Sequence, residues 1–347
     1  MIEILSFLFF LNLIIFVHEL GHFLMAKKFK LPVLEFSLGF PPKIFSKKIK
    51  KTVCSFGILL LGGYVKLKGE ENPEEEGFYT LPVGKRIIIT LGGVLMNFFL
   101  AYFLFSLSFL IAFPRPTQQI IISGFLLDSP FKEIFSIGDI IRSLKIDNKE
   151  FYFKNPQEFS SFLKNNLGKD IVLKIERRGE LKEVNLRLPE KTLSSGGVLG
   201  VYLSNFVFEK KPFPLNFVYG LKETVSQFLN IISNFYFFLK SLFGDEKIAG
   251  EIVGPVGIFS YYQYIINFGL GYVFYFIGVL SLYLVFFNIL PFPALDGGRI
   301  IFFIYEGLTK RRLNVKIESL IHQIGSCFLF VLLLLITFKD ILKLKQR

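Results

Sequence analysis

Four stretches of this chain are almost free of charge and long enough to cross a bilayer: residues 4–26, 87–113, about 272–293 and 319–338. A span needs about 20 predominantly apolar residues, and each stretch has that length. A fifth apolar segment, about 53–68, is too short to span. Gly57, Gly62 and Gly63 interrupt it, and its β-branched and Leu content suits an extended hairpin. It reads either as a re-entrant or interfacial loop or as a buried strand of a loop outside the membrane; irregular backbone at membrane depth requires protein or water beside it.

Between the second and third spans the pattern changes. Residues 114–209 are mixed and polar, with strand-like runs at 119–125, 140–146, 171–177 and 181–188. Asn155-Pro156 starts a helix with a capping side chain and a proline at its first position, and Gly168 follows its end. This reads as a small α+β domain inserted between spans. In residues 210–251, Lys222, Glu223, Ser226, Gln227, Asn230, Ser233 and Asn234 fall on one helical stripe. The stripe predicts an amphipathic helix on the membrane or against the spans, or else a core helix of the inserted domain. Residues 252–347 complete the membrane part. The fold class is therefore a polytopic α-helical membrane protein of about four transmembrane helices, with a short β element, re-entrant or a buried strand, and an inserted extracytoplasmic α+β domain.

Composition agrees: of 347 residues 52% are hydrophobic, and the mean hydropathy is +0.51. The net charge of +12 raises nucleic acid as a partner, but its placement argues for a membrane. No Lys or Arg precedes Lys27, whereas twelve lie between Ala26 and Ile87. By the positive-inside rule the N-terminus is outside and the first loop cytoplasmic. The basic tail then falls outside, against the same rule, and the first helix is taken to dominate. The N-terminal segment has no basic flank or small-residue cleavage site and reads as a retained helix. Cys54 and Cys327 fall on different elements and imply no disulfide framework.

Candidate chemistry lies inside the first span, where His18-Glu19-Leu20-Gly21-His22 interrupts the apolar run. The H-E-x-x-H spacing puts two imidazoles one turn apart on one helix face, which suits two ligands of one zinc ion. Glu19 leans toward that face and can act as general base for water. Ionisable groups at membrane depth are costly and are functional candidates by default. A catalytic zinc usually takes three protein ligands. Asp296, in Asn288-Ile-Leu-Pro-Phe-Pro-Ala-Leu-Asp296-Gly-Gly298, is the candidate third, because Pro291 and Pro293 break the third span there. His322 is a weaker candidate, alone on an apolar face.

H-E-L-G-H in the first span and N-I-L-P-F-P-A-L-D-G-G in the third together resemble the site-2 protease family of intramembrane zinc metalloproteases, and its bacterial members that trim anti-sigma factors most of all. Three further stretches are similar: Gly62-Gly63-Tyr64-Val65-Lys66 to the family's membrane re-entrant β-loop, Gly93-Val94-Leu95-Met96-Asn97 to its G-x-x-x-N motif, and Gly254-Pro255-Val256-Gly257-Ile258 to the stretch before its third span. The resemblance implies Zn2+ held by His18, His22 and Asp296, Glu19 activating water, and Asn288 holding substrate backbone or oxyanion. It implies that the strand at Gly62, Gly63 and Tyr64 pairs with an unwound substrate helix. Ser129-Pro130, Gly138-Asp139-Ile140-Ile141 and the 155–168 helix resemble a circularly permuted PDZ domain, present once and acting as a size filter. Ile134-Phe135-Ser136-Ile137 stand where the family often has Ala-Gly.

The implied function is hydrolysis of peptide bonds inside single-span membrane proteins, either anti-sigma-factor-like substrates after a first cut or remnant signal peptides. The implied place is the bacterial cytoplasmic membrane, with the site toward the cytoplasm. The lipid bilayer is a partner, nucleic acid is not, and a monomer suffices. Two alternatives stay open: a membrane-anchored PDZ scaffold with an inert metal site, and a metal transporter. Glu19 argues against the scaffold, and the lack of repeated spans against the transporter.

Overall fold

The apolar run after Glu3 forms α1, Ile2–Lys28, which stops where Lys30 turns left-handed at φ 59°. Among the described residues seven more α-helices follow: α2 (Val83–Ile111), α3 (Pro156–Lys164), α4 (Leu215–Leu242), α5 (Pro255–Ile265), α6 (Leu270–Ile289), α7 (Asp296–Thr309) and α8 (Val315–Lys345). The computed structural model describes residues 2–70, 76–126, 129–177, 179–192, 197–242, 253–312 and 314–345. They form two units: Met1–Ile111 with Lys211–Arg347, and Ala112–Lys210.

In the first unit, Ile2–Lys28, Val83–Ile111, Leu270–Ile289 and Lys316–Lys343 are long and apolar enough to cross a membrane. The boundaries shift for local reasons. α6 ends at Ile289, short of the expected 293. Pro291 forces its predecessor Leu290 into an extended conformation (ψ 142°), and the helix cannot continue. α2 begins at Val83 rather than 87, because Pro82 starts the helix and its carbonyl accepts from Lys85 N–H at 2.9 Å. α5 was not foreseen; Gly269, at φ 95°, separates it from α6.

α1 and α2 cross with backbones in contact. A Cβ on Gly21 would sit 2.1 Å from the Gly92 carbonyl oxygen, so no other residue fits without moving a helix. Small residues are how helices approach closely where lipid removes the hydrophobic drive. α4 packs against α2 and α6 rather than joining the inserted domain. Its expected polar stripe divides. Gln227 turns inward and donates to Tyr275 Oη at 3.2 Å, and Asn216 donates to the Ser106 carbonyl at 3.2 Å. Val218, Leu221, Val225 and Leu229 face outward. Lys222, Ser226, Asn230, Ser233 and Asn234 of the stripe stay exposed, while Gln227 also donates to Glu223 at 2.8 Å. Residues 243–251 of the expected helical region lie outside the described residues.

The segment after α1 forms β1 (Val33–Ile49), which pairs antiparallel with β2 (Thr52–Leu67). The expected extended element was placed only at 53–68; its partner β1 was missed. Phe36 has two partners, Val65 and Cys54, and Ser37 likewise has Tyr64 and Ser55. Glu35 is the polar centre of this sheet. It accepts from Ser55 Oγ at 2.6 Å and Tyr64 Oη at 3.0 Å, and pairs with Lys43 at 2.5 Å. Burial alone would raise its carboxyl, but these three partners hold it below the ordinary range.

The second unit is a six-stranded antiparallel sheet with one helix. Strands β3 (Phe113–Phe125), β4 (Ile140–Ile146), β5 (Lys149–Phe151), β6 (Asp170–Arg177), β7 (Glu180–Arg187) and β8 (Val201–Glu209) run in the order β7-β6-β4-β3-β8, with β5 on β4. Leu144, Leu173, Ile175 and Phe159 form its core at full burial. Asn155 Oδ1 caps α3 by accepting from Glu158 N–H at 2.8 Å. Asp139 of the Gly-Asp pair has a structural role: buried, it accepts from Ser136 N–H and from both Nε and Nη2 of Arg177. The unit runs two residues wider at its N-terminal edge and one at its C-terminal edge than the expected 114–209, because β3 and β8 pair as far as Phe113 and Glu209.

Candidate active site

The metal-ligating atoms of His18, His22 and Asp296 lie within 4.8 Å of one another in the first unit. Helical spacing accounts for the histidines, whose Nε2 atoms are 3.2 Å apart. Asp296 is the first residue of α7, and its Oδ2 lies 3.2 Å from His18 Nε2 and 3.5 Å from His22 Nε2. The loop before it is tight. Gly297 is required because a Cβ there would stand 2.3 Å from the carbonyl oxygens of Ile289 and Leu290. The two glycines therefore let α7 start against the end of α6.

Three observations bear on a metal. A tetrahedral ion bound at about 2.0–2.1 Å separates its ligands by about 3.3–3.4 Å, and the three observed separations lie close to that. Oδ2 of Asp296 is buried and receives no hydrogen bond, an arrangement that is costly unless a cation is supplied. Both imidazoles are also oriented from behind. His22 Nδ1–H donates to the Ile89 carbonyl at 3.0 Å, which leaves Nε2 as a lone pair. Asn97 Nδ2 stands 3.4 Å from His18 Nδ1, and its Oδ1 has no partner. The same amide turned over would accept from Nδ1–H and leave His18 Nε2 as a lone pair. The residues fit one zinc ion.

A cavity of about 690 Å³ opens beside these atoms, lined among others by Glu19, Gly62, Gly63, Tyr64 and Asn288. The structure thus brings every expected site residue to one place. Gly63 makes room for Glu19, since a Cβ there would lie 2.9 Å from Glu19 Cγ. Gly93 makes room for both imidazoles, with His22 Nε2 2.6 Å and His18 Cε1 2.7 Å from its would-be Cβ. The Tyr64 hydroxyl is committed to Glu35, so this residue offers the cavity its backbone. His322 is not part of the cluster. Its Nδ1 accepts from Ala294 N–H at 2.9 Å, and so supports the left-handed Ala294 (φ 79°) two residues before Asp296. Asn97 and the Ile89 carbonyl were missed as site groups; an amide within an uncharged span was the available signal for Asn97.

An H-E-x-x-H helix meeting a carboxylate as third candidate ligand among apolar helices is the arrangement of a membrane-embedded metallopeptidase. Comparison with known proteins agrees. The model of peptidase family M50 matches residues 6–332. A candidate zinc metalloprotease of Fusobacterium nucleatum is 34% identical over 338 residues, covering 96% of this chain and 97% of the relative. Zinc metalloprotease RasP of Shouchella clausii is 24% identical over 424 residues, covering 98% and 99%. A PDZ domain of an SdrC-like protein from Listeria monocytogenes, 19% identical, overlaps 25% of this chain and 87% of its own, with a TM-score of 0.21, too slight to define a fold. The chain belongs to peptidase family M50, the site-2 protease family. It is a zinc metalloprotease and a multi-pass membrane protein.

Zinc analysis of purified variants separates the two carboxyl-side candidates. Asp296→Ala is expected to lose most of its zinc, whereas His322→Ala keeps it. Full zinc in Asp296→Ala with loss in His322→Ala would reverse the assignment.

Proposed function

We propose that this enzyme hydrolyses peptide bonds within the transmembrane segments of single-span membrane proteins: anti-sigma-factor-like substrates after a first cut, or remnant signal peptides. The observation that carries the reading is the placement of His18, Glu19 and His22 on α1, a helix long and apolar enough to cross a bilayer, with Asp296 meeting them from the start of α7, just past the end of the apolar α6. His18, His22 and Asp296 hold the zinc. When bound, it polarises the scissile carbonyl and makes water a better nucleophile at neutral pH. Glu19 takes a proton from the attacking water and returns it to the leaving amine. The Asn288 amide, buried on the cavity wall, holds the substrate backbone or the developing oxyanion.

A helical substrate hides its peptide bonds behind its own hydrogen bonds, so it must be unwound first. Residues 63–67 of β2 pair with β1 on one side, and each has a single strand partner among the described residues. The other edge carries no strand among the described residues and can take an added one. This is the re-entrant element of the proposal. The Lys/Arg distribution supports an N-terminus outside the bacterial cytoplasmic membrane, with the site toward the cytoplasm and the second unit outside. That unit is PDZ-like by its Gly-Asp pair and capped helix, and screens substrates by size.

Two measurements test the proposal. Glu19→Gln is expected to lower cleavage of a co-expressed single-span substrate at least about 100-fold, with zinc retained; normal turnover would sink the mechanism. Lys211 N–H donates to the Phe109 carbonyl at 2.8 Å, so a short linker can replace the second unit. That deletion is expected to admit substrates that still carry their outer domain, and continued rejection of them would remove the filter role.

A further inference from the structure

We propose that the outer strand of the sheet, residues 43–49 of β1, and the turn at Lys50 and Lys51 form a binding surface for the anionic phospholipid headgroups of the bilayer that holds α1. The inference rests on the chain being a membrane protein and is independent of its proteolytic site.

The strand is an edge. Lys43, Phe45, Lys47, Lys48 and Ile49 each have one partner, on β2, and every residue from 41 to 51 is exposed. Two kinds of side chain alternate along it. Ile44, Phe45 and Ile49 are 65%, 60% and 53% exposed. Lys47, Lys48, Lys50 and Lys51 meet no acidic side chain among the described residues. Lys43, further from the turn, is the exception, held by Glu35 at 2.5 Å.

The turn lies level with the basic end of α1. Thr52 Oγ1 donates to the Val33 carbonyl at 2.9 Å, and Val33 lies just past Lys27, Lys28 and Lys30, which are all exposed. The unpaired lysines thus cluster at the boundary where α1 leaves the membrane. On an extended strand, Lys43 can stand up to about 23 Å from Lys50. The lysine farthest along the strand from the turn is the one supplied with a counter-charge.

Lysines on an edge strand also guard against edge-to-edge aggregation. That role leaves the three exposed apolar side chains unexplained, since they make an edge stickier in water. The headgroup layer accounts for both classes: apolar side chains reach the acyl boundary while lysine stems extend their ammonium groups to lipid phosphates. A nucleic acid would account for the lysines alone.

The chain contains no Trp, so Phe45→Trp introduces a single Trp, which is excited at the red edge apart from the 14 tyrosines. The full-length protein would be placed in bilayers with brominated phosphatidylglycerol or, at equal mole fraction, brominated phosphatidylcholine. The expected result is blue-shifted emission, quenched at least twofold more by the anionic lipid. Replacing Lys47, Lys48, Lys50 and Lys51 together by Gln, or by Glu, should abolish that preference with zinc content unchanged. Ile44→Trp provides a second reporter should the first fail to fold. Water-like emission quenched by aqueous iodide, or equal quenching by both lipids, would overturn the proposal.

Discussion

The site depends on bringing one carboxylate oxygen, Oδ2 of Asp296, to within 3.5 Å of two imidazole nitrogens on α1. The two histidines come together through helical spacing alone. The carboxylate arrives from the far end of the sequence, and its position is set by backbone contacts that no side chain could survive. α2 touches α1 at Gly21 and Gly92, and a Cβ on Gly93 would strike the imidazoles. The start of α7 abuts the end of α6 at Gly297. These glycines are needed for the space a Cβ would occupy; they allow three ligands to converge within a helical membrane protein.

Two ion pairs fix α7, one outside the cavity and one on its wall. Arg86, 2% exposed, donates to both carboxylate oxygens of Glu306 on α7 at 2.9 and 2.5 Å, and its Nε donates to the Leu81 carbonyl. Arg299 on α7 donates to Glu70, just beyond β2, at 2.6 Å. Removing one partner of such a buried pair leaves an uncompensated charge, which costs about 3–5 kcal/mol. The pairs therefore tie the helix that begins with Asp296 to α2 and to the sheet. α8 is held at both ends: Tyr79 donates to Glu318 at 3.2 Å, and Asp340 accepts from the backbone N–H groups of Gly254 and Gly257, capping α5.

The spans and the chemistry were legible because both leave local signatures. A run of uncharged residues, the i to i+4 spacing of His18 and His22, and prolines ahead of Asp296 each act within a few residues. What was missed depends on partners distant in sequence. β1 carries Pro41-Pro42 and many lysines, which read as a loop; its pairing with β2 overrides that composition. The stripe on α4 left open whether the helix lies on the membrane, against the spans or in the inserted domain; Gln227 bonds Tyr275 of α6, a contact that periodicity cannot show. β8 has a strand-like composition, but its identity comes from pairing with β3. The roles of Gly93 and Gly297 likewise become visible only once their neighbours are in place.

The central claim is that two imidazoles and one carboxylate hold the zinc, and X-ray absorption at the zinc edge of the purified protein tests it most directly. The account predicts a first shell of nitrogen and oxygen alone at about 2.0–2.1 Å, with the outer scattering of two imidazole rings. Sulfur at about 2.3 Å, or scattering from fewer than two imidazoles, would contradict it.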